Sequence, residues 1–151
     1  MFFLKQLPST QMVEGYAARF DDVVPDRVLG ALGLMRDASL LIRELEAYFA
    51  SHDLSQLRFL TLILIDREPT RESLQASEIA ERLDVSRPVV TRTLKALEGS
   101  ALLSSAGNPD DARSRMLSLT PEGRRKLEAV LPGYFAILDR AMTDERPRTC
   151  D

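Results

Sequence analysis

Apolar residues recur at intervals of three and four along most of this chain, and that spacing predicts a mainly helical protein. Pro8 and Ser9 precede a short pattern with Met12, Val13, Tyr16, Ala17 and Phe20 on one face, which Asp21, Asp22 and Pro25 then break. A long helix follows from about Pro25 to Ser51. Its stripe is Val28, Leu32, Met35, Ile42, Leu45 and Phe49, widened by Leu29, Leu41 and Tyr48. A stripe so wide predicts burial on more than one side, by the chain's own core and by a second subunit. Past His52-Asp53-Leu54, with Asp53 or Ser55 as cap, a helix from Ser55 to about Arg67 is apolar nearly all round: Leu57, Phe59, Leu60, Leu62, Ile63, Leu64 and Ile65. With so little polar surface it must be enclosed.

After the polar loop DREPTRES, Leu74, Ile79, Ala80 and Leu83 fall at helical spacing, and Glu78 stands three places after Gln75, a capping-box interval. Asp84 and Val85 make a tight connection to a second short helix, with Ser86 at its N-cap and Pro88 in its first turn. Val89, Val90, Leu94 and Leu97 form its apolar face, Arg87, Thr91, Arg92 and Lys95 occupy the rest, and Gly99 acts as the stop. Two short helices so joined make a helix-turn-helix, whose second member can enter the major groove of DNA. Leu102 to Ser105 is short and β-compatible, Gly107 to Asp111 is a turn cluster, and Met116-Leu117-Ser118-Leu119 alternates apolar with polar. Arg113 and Arg115 lie near the tip of that hairpin. Thr120-Pro121 opens a last helix with Leu127, Val130, Leu131, Phe135, Leu138 and Met142 on one side, and Pro132-Gly133 within it marks a place to kink. The fold expected is mainly α with a small β-hairpin wing, an α+β winged helix-turn-helix joined to a helical dimerisation region.

Composition narrows this only slightly. With 151 residues, 44% of them apolar and 28% charged, the chain has the ordinary balance of one globular domain. No run approaches the roughly 18 apolar residues of a membrane span, and Phe2-Phe3-Leu4 is too short for a signal-peptide core, so a cytoplasmic location without membrane contact is expected. Cys150 is the sole cysteine and His52 the sole histidine, so neither a disulfide within the chain, a metal site nor a cofactor is expected. A net charge of −3 argues against indiscriminate DNA binding. Yet between Ser86 and Arg115 five basic residues (Arg87, Arg92, Lys95, Arg113, Arg115) face three acidic ones, and phosphate affinity depends on where the cations sit.

The stretches ASEIAERLDVSRPVVTRTLKALE and NPDDARSRMLSLTPEGRRKLEAVLP, with the Leu54–Asp66 helix upstream, resemble the MarR-type family of winged helix-turn-helix transcriptional regulators over roughly a hundred residues in matching order. The resemblance implies a homodimer on a pseudo-palindromic double-stranded DNA operator, most often as a repressor. It places Ser86, Arg87, Pro88, Thr91 and Arg92 where family members touch DNA. Arg87 and Arg92 can make bidentate contacts to guanine or to phosphate, Val89 can meet a thymine methyl group, and Lys95 suits a phosphate. Asp111-Ala112-Arg113 matches the family's Asp-x-Arg element, which implies an Asp111–arginine pair shaping the wing and Arg113 directed at the minor groove. The family also binds small phenolic or anionic effectors between the dimerisation helices and the DNA-binding lobe. Tyr48, His52 and Arg58 flank that junction and are the candidate ligand residues. Residues 54–120 would then be the DNA-binding lobe, and residues 1–53 and 121–146 the dimerisation region. The chain departs from the family where a final interlocking helix is usual, since DERPRTCD offers little to build one; a dimer would lean on the first 50 residues.

Each signal has a plainer reading. The Ser86–Glu98 helix can be a packed surface helix, the wing charges a solvated turn, His52 a capping residue, and Tyr16, Tyr48, Phe49 and Phe59 simply core. Two rival functions stand beside the regulator. A winged helix used for protein–protein or architectural contacts predicts a neutral recognition helix, against which Arg87 and Arg92 speak. An enzyme needs a nucleophile–base pair, a glycine-rich phosphate loop or a metal cluster, and no such pattern is present.

Overall fold

A computed structural model describes residues 6–20, 22–68, 71–108 and 111–143, apart from the side chains of Asn108 and residues 111–114. Six helices and three strands run in the order α1 (Thr10–Ala17), α2 (Pro25–Ser51), α3 (Gln56–Asp66), β1 (Ser73–Gln75), α4 (Ala76–Arg82), α5 (Arg87–Gly99), β2 (Leu103–Asn108), β3 (Asp111–Leu119) and α6 (Pro121–Met142) among the described residues. Local chemistry sets most of the starts. Ser9, Ser55 and Thr120 each accept a hydrogen bond from the amide three residues on, at Met12, Arg58 and Gly123. Proline stands in the first turn of α2, α5 and α6, where the missing N–H leaves no bond unmade. Of the two caps foreseen for α3, Ser55 serves; Asp53 instead takes a left-handed conformation (φ 55°) that turns the chain out of α2.

α3 is the axle, touching α2, α5, α6, β1 and β3. Phe59 and Leu62 have no exposed surface, and Thr61, buried beside them, returns its hydroxyl to the Leu57 carbonyl at 2.8 Å, so its polar group is satisfied within the helix. The expectation of an enclosed helix holds. Around it a single core runs from Leu45 and Phe49 through Leu74, Ile79, Val90, Leu94 and Leu97 to Leu127, Val130 and Ile137.

Two expectations from spacing fail, each for a physical reason, and one apolar face proves to be shared between core and surface. Leu74 does not open α4. It lies in β1, where it is paired with Leu117 of β3, both buried, and the sheet order is β1-β3-β2. The hairpin is therefore a three-stranded sheet, and what decides the strand is a partner 43 residues downstream, which no local period reveals. Gly99 does not turn the chain: it is still helical, and Ala101 takes the left-handed position (φ 57°) while its amide and that of Leu102 bond back to Glu98 and Leu97. The apolar face of α1 is divided, with Val13 and Ala17 buried on the α2 side and Met12, Tyr16 and Phe20 more than half exposed.

Candidate nucleic-acid interface

α4 and α5 pack through Ile79, Val90, Leu94 and Leu97, which fixes which face of α5 turns outward. Ser86, Arg87, Pro88, Thr91, Arg92 and Lys95 are all exposed on that outer face, and Val89 is half-buried at its edge. Arg87, Arg92 and Lys95 form no ion pair with any described residue. Thr91 donates its hydroxyl to the Arg87 carbonyl at 3.0 Å, keeping its methyl group and an oxygen lone pair outward. Ser86 occupies the N-cap position without using its hydroxyl on the helix, while its carbonyl takes the Val89 and Val90 amides at 2.9 and 3.1 Å, so the hydroxyl is left facing outward.

The wing is tied to this helix at its base. Arg115 on β3 donates to the Ser105 hydroxyl on β2 and lies 3.9 Å from the Glu98 carboxylate of α5. Arg115 is thus held across wing and helix even though most of its side chain is exposed. Ser104 and Ser118 share a hydrogen bond across the β2–β3 ladder at 3.2 Å. At the wing's end, Thr120 donates to the Ala101 carbonyl at 2.6 Å and its amide bonds Leu102 at 3.1 Å. Gly123 follows where a Cβ would overlap the Leu102 carbonyl, so only glycine lets α6 start this close to the α5–β2 turn. The expected Asp111–arginine pair and the direction of the Arg113 side chain lie outside the described residues.

Sequence reasoning missed an ionic lattice on the far side of α4. Glu78 receives Arg71 at 2.7 Å and the Gln75 amide at 2.7 Å, and Arg71 followed by that amide holds its carboxyl below the usual glutamate range. The Arg71 guanidinium is raised in turn, chiefly by its bond to Glu78. Glu68 takes Arg82 at 2.6 Å, and Asp66 takes Arg124 of α6 at 3.0 Å. Asp66, Glu68, Arg71 and Arg124 line a polar cleft of about 340 Å³ with Ile65 and Leu119. Only the Gln75–Glu78 interval was visible beforehand, since the other partners are far apart in sequence.

Of the three candidate ligand residues, Tyr48 and His52 come together at the opposite end of α3, and Arg58 makes no hydrogen bond or ring contact with either. Tyr48 donates its hydroxyl to the Val130 carbonyl at 2.9 Å, the His52 ring stands edge-on to Tyr48 at 4.8 Å, and Arg58 is half-buried in the first turn of α3. Among the described residues there is no group of three or more His, Cys, Asp or Glu suited to a metal ion, and no helix long and apolar enough to cross a membrane.

A recognition helix set on a stabilising helix, followed by a two-stranded wing, defines a winged helix-turn-helix. Comparison with known proteins makes this specific. The MarR family model matches residues 52–114. The HTH-type transcriptional repressor YetL of Bacillus subtilis is 28% identical over 140 residues, spanning 92% of this chain and 83% of its own length. The crystal structure of YusO, also from B. subtilis, superposes with a TM-score of 0.62 at 30% identity, covering 82% of this chain and 89% of its own. Sco3205 of Streptomyces coelicolor, a MarR family regulator solved in complex with DNA, gives a TM-score of 0.74 at 20% identity over 83% of this chain and 79% of its own. The chain belongs to the MarR family of transcriptional regulators.

Proposed function

We propose that this protein is a sequence-specific repressor that binds a pseudo-palindromic double-stranded DNA operator as a homodimer. The observation that carries the reading is the outer face of α5, where Arg87, Arg92 and Lys95 stand exposed without a carboxylate partner among the described residues. Cations left unpaired in this way suit phosphates and base edges. Ser86, Pro88, Val89 and Thr91 complete that surface, and Arg113 and Arg115 serve the wing. Residues 54–120 act as the DNA-binding lobe and residues 1–53 and 121–146 as the dimerisation region, with the outermost of these lying outside the described residues. Two recognition helices reach one face of the duplex when the half-sites lie about one helical turn apart. The protein works where the chromosome is, in the cytoplasm, and needs neither enzymatic chemistry nor a cofactor.

A small anionic aromatic effector at Tyr48, His52 and Arg58 would change the angle between lobe and dimer region, with Arg58 supplying the positive charge. A preference of about 1–3 kcal/mol for one angle alters operator affinity 5- to 150-fold. Selection of bound duplexes from a random pool tests the main reading. A pseudo-palindrome with two half-sites is expected, and a pool that stays unenriched at low salt overturns it. Thermal-shift screening of aromatic acids, with and without the selected operator, tests the effector. A compound that stabilises the free protein and weakens the complex is expected, and its absence across the screen removes the effector from this site.

A further inference from the structure

α6 carries two residues that a helix interior disfavours, side by side: Pro132 and Gly133. In a helix interior glycine is unfavourable relative to alanine and proline far more so, so the pair softens α6 halfway along. Pro132 has no N–H to give the carbonyl four residues back, at Glu128. Gly133 has a neighbour that explains it. The ring and hydroxyl of Tyr48 on α2 occupy the space that a Cβ on residue 133 would fill, and the same hydroxyl donates to the Val130 carbonyl at 2.9 Å. Tyr48 therefore plugs into α6 at its weakest point.

What meets there is the junction of three helices. Phe49 of α2 stacks on Phe59 of α3 at 4.6 Å, and Tyr134 of α6 lies 4.7 Å from Phe59 and 5.9 Å from Phe49. On one side of the junction α6 begins at the wing, fixed by Thr120 and Gly123. On the other side it carries the exposed Phe135 and Met142, and Arg140 reaches Glu44 of α2. One helix thus joins the wing to the outer helical surface, and its softest turn is pinned by one side chain.

We propose that Tyr48, seated against Gly133, is a positioning residue that sets the angle between the winged-helix lobe and the dimer-forming helices, and so the spacing of half-sites the protein accepts. The proposal rests on the dimeric regulator reading above. Tyr48 touches no DNA in this scheme. Its effect is on which spacing is preferred, whereas a residue that merely fills the core changes stability and leaves the preference alone.

The test uses the full chain with Tyr48→Phe, Gly133→Ala, Tyr48→Ala and the double variant that combines Tyr48→Ala with Gly133→Ala. Each is measured on duplexes carrying the selected half-sites with the separation varied by one or two base pairs either way. Wild type should discriminate between neighbouring spacings by at least about tenfold. Tyr48→Phe should melt close to wild type yet lose most of that discrimination. Gly133→Ala should lower the melting temperature in the presence of Tyr48 and be harmless in the Tyr48→Ala background, because the overlap disappears with the ring. Equal discrimination by wild type and Tyr48→Phe overturns the proposal, as does a Gly133→Ala penalty that is the same in both backgrounds. A readout free of DNA separates this result from failure of the regulator reading. A spin label at Glu81→Cys in a Cys150→Ser chain reports the distance between the two lobes of a dimer. That distance should be narrow in wild type and broad or displaced in Tyr48→Phe; an unchanged distribution overturns the pivot even if DNA binds. A wild-type chain that enriches no DNA overturns the regulator reading, and the lobe distance still judges the pivot.

Discussion

The winged-helix half and the helical half of this chain handle their apolar residues in different ways. Within α3 to β3 the large apolar side chains are buried or half-buried, from Phe59 and Leu62 through Leu74, Ile79 and Leu97 to Leu117, and Val85 in the turn is the lone large exposed one among the described residues. In α1, α2 and α6 some are buried, Val13, Leu45, Phe49, Leu127, Val130 and Ile137 among them, but many are not. Met12, Tyr16, Phe20, Leu34, Met35, Ile42, Phe135 and Met142 are each more than two-fifths exposed. The two halves share one core, Phe59 packing on Phe49 and Tyr134, but the large side chains left in water belong almost entirely to the helical half. A region with little apolar surface left wet beside one with much of it is what a reading head on a shared dimer frame requires.

The sharpest way to break the first half is Phe59→Ala. Its ring has no exposed surface and stacks on Phe49 with Tyr134 alongside, so the cavity should cost about 3–5 kcal/mol, enough to unfold a marginal domain. Denaturant melts followed by far-ultraviolet circular dichroism should show the loss; a drop below about 1 kcal/mol would mean that this core is less closed than it looks. The second half should break differently. Met35→Glu with Ile42→Glu places charge on surface that is already wet in one chain, so the isolated fold should survive. The dimer should not, and operator affinity should fall at least about 100-fold once two half-sites are no longer bound together. Light scattering and gel shift read the two effects. A dimer that persists with both glutamates would move the shared surface elsewhere, toward Tyr16 and Phe20.

The recognition face tests the comparison at the DNA itself. Arg92→Ala removes a charge without touching Val90, Leu94 or Leu97 beneath it. Operator affinity should fall by about 1–3 kcal/mol with the melting temperature unchanged. Loss confined to particular base substitutions would mark a base contact, and uniform loss with a shallower salt slope a phosphate contact. Unaltered binding by both Arg92→Ala and Arg87→Ala would remove α5 from the groove.

How legible all this was depended on the range over which each feature is decided. The recognition helix was readable because cap, proline and apolar face all fall within or beside the thirteen residues of α5. The enclosed α3 was readable because its run of apolar residues leaves no wet face. β1 was not, because Leu74 becomes a strand residue only through its pairing with Leu117. The reversal at Ala101 was hidden by the better candidate Gly99, since the bonds back to Leu97 and Glu98, rather than residue preference, fix where α5 ends. Gly133 could be seen as a weak point, but that Tyr48 fills it is a contact between residues far apart in the chain. The split of α1 was hidden for the same reason, because the stripe is visible locally and the neighbour that buries only half of it is not.

The smallest effect expected concerns acid, and it falls on the winged-helix half. Glu78 is held below the ordinary glutamate range by Arg71 first and by the Gln75 amide second, so its charged form is favoured more in the folded chain than in the unfolded one. A depressed carboxyl contributes stability that is present above its unfolded value, about 4.3, and is lost as the pH falls through the lower folded value. The side chain is partly exposed and the pair is screened by solvent, so the contribution should be small. Glu78→Gln is the variant to use, since an amide can still accept from the Gln75 backbone while the charge is gone. Denaturant melts of wild type and Glu78→Gln between pH 6 and 3 should show wild type more stable at pH 6, the gap narrowing as pH drops below the ordinary glutamate value. Arg71→Ala should narrow the same gap at pH 6, because it removes the first cause of the depression. A gap that stays constant through that range would mean the carboxylate acts only as a helix cap, and the Arg71–Glu78 pair would then carry no measurable charge contribution.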